Sequence, residues 1–148
     1  MIAVMMIMTG VLSQFWIGVE RINRLASETS NHAMRGELLL ERIAQDIRQS
    51  IRVDVIENGL PSCTQLSADG TICVVRYSIE GDELIRQETC GQETQTALVG
   101  RLRQGRLSVT EQNGSIFRLT WETDFFVQPG MSQTLTLVKL VRYPGGSS

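Results

Sequence analysis

The charge-free segment at the N-terminus most constrains what this chain can fold into. From Ile2 to Val19 the sequence contains no Asp, Glu, Lys or Arg, whereas all 14 basic and 16 acidic residues lie from Glu20 onward. As an α-helix, a segment of this length spans roughly 27 Å and approaches the ~30 Å hydrocarbon core of a bilayer. Phe15 and Trp16, near its end, are residue types that favour the membrane interface. The segment therefore predicts a membrane-spanning helix, and a helix buried in the protein core is the alternative.

After Glu20 the apolar residues recur at spacings of three and four, the pattern of a helix with one buried face. No proline occurs between Met1 and Leu60. We therefore expect one helix over residues 1–51, with a transmembrane or filament-core part over 1–19 and an amphipathic part over 20–51. The side chains expected in the membrane or filament are Ile2, Val4, Met5, Ile7, Met8, Gly10, Val11, Leu12, Phe15 and Trp16. Those expected to pack on a sheet are Leu40, Ile43, Ala44, Ile47 and Ile51.

From Arg52 the pattern changes to short runs typical of β-strands, separated by turn residues. We expect a globular antiparallel β domain over 52–143, followed by a flexible tail over 144–148. The fold class that this predicts is α+β, a long N-terminal helix packed on an antiparallel β-sheet. We expect Trp121, Phe125 and Phe126 in the core, and an exposed patch for a partner is the alternative. The expected strands are Arg52–Ile56, Ile72–Ile79, Leu84–Cys90, Arg106–Glu111, Ser115–Thr123 and Thr134–Arg142, with turns at Asn113-Gly114 and Pro129-Gly130.

The clearest β signal is a hairpin with Gly81-Asp82 as its two-residue loop. Glycine at the first loop position favours a type II′ turn, which places Cys73 opposite Cys90 with Cα atoms ~4.5 Å apart. That separation lies at the short end of the disulfide range. We therefore predict this bridge, with Cys63 as the odd thiol, while a bridge from Cys63 to either partner, or three unpaired cysteines, are the alternatives. The same register pairs Ile79 with Leu84, Tyr77 with Arg86 and Val75 with Glu88, and predicts a packing cluster of Tyr77, Leu84 and Arg86.

Composition and motifs exclude most enzyme classes. The net charge is −2, which does not provide the basic field that nucleic acid requires. His32 is the single histidine, so little is present for acid–base chemistry or zinc binding. The sequence contains no CxxC, HExxH, GxSxG, P-loop or GxGxxG motif. We therefore expect no enzyme activity, no catalytic, cofactor-binding or metal-binding residues, no nucleic acid and no small-molecule substrate.

Two further stretches, together with the charge-free helix, resemble a known family. They are LLLERIAQDIRQSIRV at Leu38–Val53 and VVRYSIEGDELIRQE at Val74–Glu88. The chain resembles the minor pilins and pseudopilins of type IV filament systems, above all the J-type minor pseudopilins of type II secretion and the W-type minor type IV pilins. In these families the helix commonly ends in an L-x-x-D-[IL]-R-x-[AS]-like stretch, and a V-x-Y-x-[IL] strand, a tight turn and L-x-R follow. The matching stretches are Ile43–Ser50, Val75–Ile79 and Leu84–Arg86, and the resemblance covers roughly residues 1–90.

The resemblance implies a structural subunit in the tip or initiating complex of a type II secretion pseudopilus, a type IV pilus or a competence pilus. It implies other minor pilins or pseudopilins and the filament as partners. It also implies a single-pass protein of the inner membrane, with its domain in the periplasm or outside, before assembly. The alternative is a single-pass, membrane-anchored extracytoplasmic binding module. Small and uncharged polar side chains in the apolar helix suit close helix contacts: Thr9, Gly10, Ser13, Gln14 and Gly18.

Members of this family begin with a short basic leader that ends in Gly and is followed by Phe-Thr-Leu-x-Glu. This sequence contains neither, and Met1–Val4 is similar to the stretch just after that glutamate. We therefore expect the natural start to lie upstream of Met1.

Overall fold

The computed structural model describes residues 2–56, 59–128 and 131–145, with side chains at 2–11 and 127–128 left out of the description. The chain divides into two compact units, Met1–His32 and Ala33–Ser148. The expected turn at Pro129-Gly130 and residues 146–148 of the expected tail lie outside the described residues.

One helix precedes eight strands along the described chain. The elements are α1 (Ile2–Arg48), β1 (Ser50–Val55), β2 (Pro61–Leu66), β3 (Ile72–Glu80), β4 (Glu83–Cys90), β5 (Glu93–Arg101), β6 (Arg106–Glu111), β7 (Ile116–Gln128) and β8 (Met131–Arg142).

The strands form two antiparallel sheets rather than the single sheet expected. The first has five strands in the order β1-β2-β3-β4-β5, and the second has three in the order β6-β7-β8. Between them the chain turns at Arg103 and Gln104, both of which have positive φ, 45° and 67°. The fold class is α+β, as predicted, with the later part of α1 packed on the sheets.

The buried face of α1 lies where the spacing of its apolar residues places it. Leu40, Ile43, Ala44 and Ile47 are buried in a core that also contains residues of both sheets. Ile51 was expected on this face and is not there, since it is 52% exposed in β1. The physical reason is that α1 ends at Arg48. From there the side chains no longer repeat every 3.6 residues, as in a helix, but alternate between the two faces of a strand, so residue 51 leaves the helix face. The sheet therefore begins earlier than the boundary expected at Arg52.

The end of α1 is stabilised by side chains that satisfy a terminal carbonyl group. Ser50 Oγ donates a hydrogen bond to the Asp46 carbonyl oxygen at 2.5 Å. Gln65 Nε2 of β2 donates to the same oxygen at 3.1 Å. The last carbonyls of a helix lack partners within the helix, so these two donors offset the cost of ending it inside the fold.

The hairpin of β3 and β4 has the predicted register. Cys73 pairs with Cys90 and Glu80 pairs with Glu83, and Gly81 has φ +62°, as a type II′ turn requires. The sulfur atoms of Cys73 and Cys90 are bonded to each other, and their Cα atoms are 4.2 Å apart. Cys63 is the free and buried cysteine.

Two strands were not predicted. β2 begins with a proline and is rich in polar residues, so its sequence lacks the alternation that marks a strand. β5 carries mostly exposed side chains and has a bulge opposite Leu84/Ile85, which also obscures the alternation. Both strands exist because the hairpin of β3 and β4 offers unpaired edges on its two sides.

The core of the second unit depends on close approach at Gly36. A Cβ atom at this position would lie 2.8 Å from Leu137 Cδ1 and closer still to the ring of Trp121. Because glycine has only a hydrogen atom in place of a side chain, α1 contacts the second sheet directly at residue 36. Trp121 and Phe125 are buried as expected, but Phe126 is 70% exposed, since neighbouring residues of a strand point to opposite faces.

Candidate functional site: an exposed helix face and a buried ion-pair cluster

The first unit carries a row of exposed apolar side chains on α1. We name it the N-terminal stripe. Its members recur at helical spacings of three and four, which places them along one side of the helix. They are Leu12, Phe15, Trp16, Val19 and Ile22, which are 65%, 70%, 72%, 36% and 67% exposed.

The chemistry of the N-terminal stripe is that of a binding surface. Large apolar side chains that remain in water cost free energy, and burying each against a partner contributes about 1.5–3 kcal/mol. Gly18 leaves open space beside the backbone, since a Cβ atom there would meet nothing within 4 Å. Two of the neighbouring charges form an ion pair, with Arg24 3.8 Å from Glu20. This arrangement suits a second helix laid along the stripe.

The expected membrane span is wrong for the described residues. No helix among them is long and apolar enough to cross a membrane. The predicted single-pass location in the inner membrane is therefore not supported. The other side chains expected in that segment lie outside the described residues: Ile2, Val4, Met5, Ile7, Met8, Gly10 and Val11.

The second unit contains a buried cluster of polar side chains centred on Asp46 of α1. Arg86 Nε donates to Asp46 Oδ2 at 2.7 Å, and the Tyr77 hydroxyl donates a short hydrogen bond to the same oxygen. Glu88 Oε2 accepts from Arg86 Nη1 at 2.6 Å. Asp46 is 2% exposed, Tyr77 3% and Arg86 9%. Tyr77 and Arg86 were expected to pack together, and the structure joins them through Asp46.

The protonation states of this cluster follow from its contacts. Burial acts to raise the pKa of Asp46, but the hydrogen bonds from Arg86 and Tyr77 outweigh it and hold that pKa below its usual range. Burial acts to lower the pKa of Arg86, but the Asp46 and Glu88 carboxylates raise it. Burial and the Asp46 carboxylate raise the pKa of Tyr77. At neutral pH the cluster is a carboxylate, a guanidinium and a neutral phenol, so Asp46 has no proton to donate.

The cysteines of the second unit do not form a nucleophilic site. Burial raises the pKa of the Cys63 thiol to about 11, so it is protonated and weakly reactive at neutral pH. Glu88 lies close enough to Cys73 and Cys90 to form a possible metal-binding group. The two sulfur atoms, however, are bonded to each other and Glu88 is paired with Arg86. Thiolates are the ligands that zinc prefers, and a disulfide does not supply them.

Asp46 is the functional-site candidate that spacing and composition did not single out. The signal for it was the motif of the family that the chain resembles, in which the aspartate position of Ile43–Ser50 is occupied by Asp46. Tyr77 occupies the tyrosine position of the second motif, and Arg86 the arginine position of the third. The structure brings these three motif positions into one cluster.

No known family model, no curated protein and no solved structure matches this chain.

Proposed function

We propose that this protein is a pilin-like structural subunit, a minor pilin or pseudopilin that acts by docking to sister subunits in the tip or initiating complex of a type IV-type filament. The observation that carries this proposal is the N-terminal stripe, which exposes five large apolar side chains on one helix side. An apolar face of this extent marks a surface for a macromolecular partner. We take this partner to be a second helix, because side-chain ridges at helical spacing pack into the grooves of another helix.

The buried cluster supports the same proposal. Asp46, Tyr77 and Arg86 come from the three stretches that resemble the minor pilin family, and the structure joins them by hydrogen bonds. A buried ion pair of this kind fixes the orientation of α1 on the first sheet, because its geometry tolerates little displacement.

Photocrosslinking in the organism that makes the protein tests this function. A benzophenone amino acid replaces Phe15, which is 70% exposed within the stripe. We expect covalent adducts with proteins that themselves begin with a long apolar helix, identified by mass spectrometry. Trp16→Glu should suppress these adducts, since it places a charge in the stripe.

Ile17→Glu is the matched control, because Ile17 is also apolar and exposed but lies on the opposite side of the helix. It should leave the adducts in place. Adducts that survive Trp16→Glu, or that contain only proteins without such a helix, would contradict the filament role.

A further inference from the structure

The first sheet ends in an open edge at β5. This strand is last in the order β1-β2-β3-β4-β5, and its residues from Glu93 to Leu98 are all exposed. The hairpin of β4 and β5 has a two-residue loop, which makes Cys90/Glu93 a hydrogen-bonded pair. Pairs alternate from there, so the N–H and C=O groups of Thr94, Thr96 and Leu98 point away from β4. They form the pairing template that an added strand uses.

Beside this edge lies a pair of adjoining clefts between α1 and β5. Their volumes are about 260 Å³ and 340 Å³, and both are lined by Leu38 and Val99. Leu38 is 65% exposed and Leu98 57% exposed, so the clefts open beside uncovered apolar surface. All lining residues belong to the second unit.

The rim of these clefts is basic, although the chain as a whole has a net charge of −2. Arg35, Arg42, Arg101 and Arg103 line them and are exposed. Arg101 pairs with Glu83 at 3.0 Å. In the described part of the chain, no ion pair within 4.0 Å engages the other three. Arg42 also interacts electrostatically with Asp46 at longer range. The exposed guanidinium groups of the clefts are suited to binding carboxylates.

From these observations we propose that the clefts and the β5 edge together bind an extended acidic segment of another protein. The segment adds a strand to β5, places its carboxylates on Arg35, Arg42 and Arg103, and covers Leu38 with an apolar side chain. The open edge requires an extended backbone, and the arginines require negative charge, so the two features select the same ligand. This binding goes beyond the proposed filament role and does not depend on it.

A fluorescent peptide tests the proposal on the full chain. The probe is a seven-residue peptide in which Asp and Glu alternate with Val, and its counterpart carries Lys at every acidic position. We expect fluorescence anisotropy to show binding of the acidic peptide and none of the basic one. Affinity should fall as salt is raised, because the contacts are ionic and partly exposed.

Two variants locate the site. Arg35→Glu combined with Arg103→Glu should weaken binding about tenfold or more, the effect of losing a charge-assisted hydrogen bond. Arg118→Glu is the matched control, since Arg118 is exposed on β7 and should leave affinity unchanged. Thr96→Pro removes an N–H group that points away from β4, and should weaken binding while the circular dichroism spectrum is retained.

Equal binding of both peptides, or no effect of the arginine variant, would overturn the proposal. Absence of acidic-peptide binding would overturn it as well. Self-association in sedimentation experiments that Thr96→Pro abolishes and the acidic peptide does not displace would assign the edge to a second copy of this chain instead.

Discussion

Asp46 illustrates how one side chain can acquire partners from distant parts of the sequence. Its carboxylate accepts hydrogen bonds from Tyr77 and Arg86, which are 31 and 40 residues away. A carboxylate buried without partners would take up a proton, because desolvation disfavours its charged form. Here the guanidinium and the phenol supply the missing solvation, so the charge persists inside the core.

Removing this charge should destabilise the fold. Asp46→Asn leaves Arg86 in the core without its closest carboxylate, and we expect the free energy of unfolding to fall by about 3 kcal/mol at neutral pH. Urea unfolding measures the change. Asp54→Asn is the matched control, since Asp54 forms an exposed pair with Arg52 at 3.0 Å and should cost less than about 1 kcal/mol. Equal losses from both variants would show that burial contributes nothing here.

The stability contributed by Asp46 should depend on pH with a definite sign. Its pKa in the folded protein is lower than in the unfolded chain, where an aspartate has a pKa of about 3.9. The contribution is therefore fully present above that value and is lost as pH falls through the folded pKa. We expect the difference in unfolding free energy between the wild type and Asp46→Asn to shrink below about pH 4. A difference that stays constant through strongly acidic solutions would contradict this expectation.

At the scale of the element, α1 contains glycines with opposite roles. Gly36 lies against Trp121 and Leu137, whereas Gly18 has open space beside it. Alanine favours a helix over glycine by about 1 kcal/mol at either position. The surroundings therefore decide the outcome of substitution.

We expect Gly36→Ala to lower the free energy of unfolding by about 1–3 kcal/mol, because the added methyl group overlaps the Trp121 ring. Gly18→Ala should raise helix stability or leave unfolding unchanged. Chemical denaturation followed by circular dichroism compares the two. A gain in stability from Gly36→Ala would show that α1 moves away from the second sheet without cost.

The hairpin of β3 and β4 is the element whose sequence specifies it most completely. Its loop, Gly81-Asp82, determines which residues pair across the two strands. This pairing places Cys73 directly opposite Cys90. β2 and β5 are specified less completely by their sequences, because each forms by pairing with an edge of the β3–β4 hairpin. Their own sequences, polar or interrupted by a bulge, carry little strand signal.

For the whole molecule, the division at His32/Ala33 has an energetic meaning. Every residue of the hydrophobic core, from Leu39 to Val141, lies in the second unit. The described side chains of the first unit include the exposed N-terminal stripe and none of that core. The hydrophobic core thus lies in the second unit, whereas the stripe proposed to contact sister subunits lies in the first.

We therefore expect a protein that begins at Ala33 to fold cooperatively. Its free energy of unfolding should match that of the full chain to within about 1 kcal/mol in urea. It should also lose the crosslinks made at Phe15 while retaining binding of the acidic peptide at β5. A truncated protein without a cooperative transition would show that the first 32 residues contribute to the core.

The sequence by itself determined the local features of this protein. Helical periodicity, loop chemistry and strand alternation act over a few residues, so α1, the β3–β4 register and the Cys73–Cys90 bridge could be predicted. Only the tertiary structure decided the end of α1 before Ile51, the division into two sheets, the cluster around Asp46 and the basic clefts beside β5. These features join residues far apart in the chain, and their energies come from burial and pairing that exist only after folding.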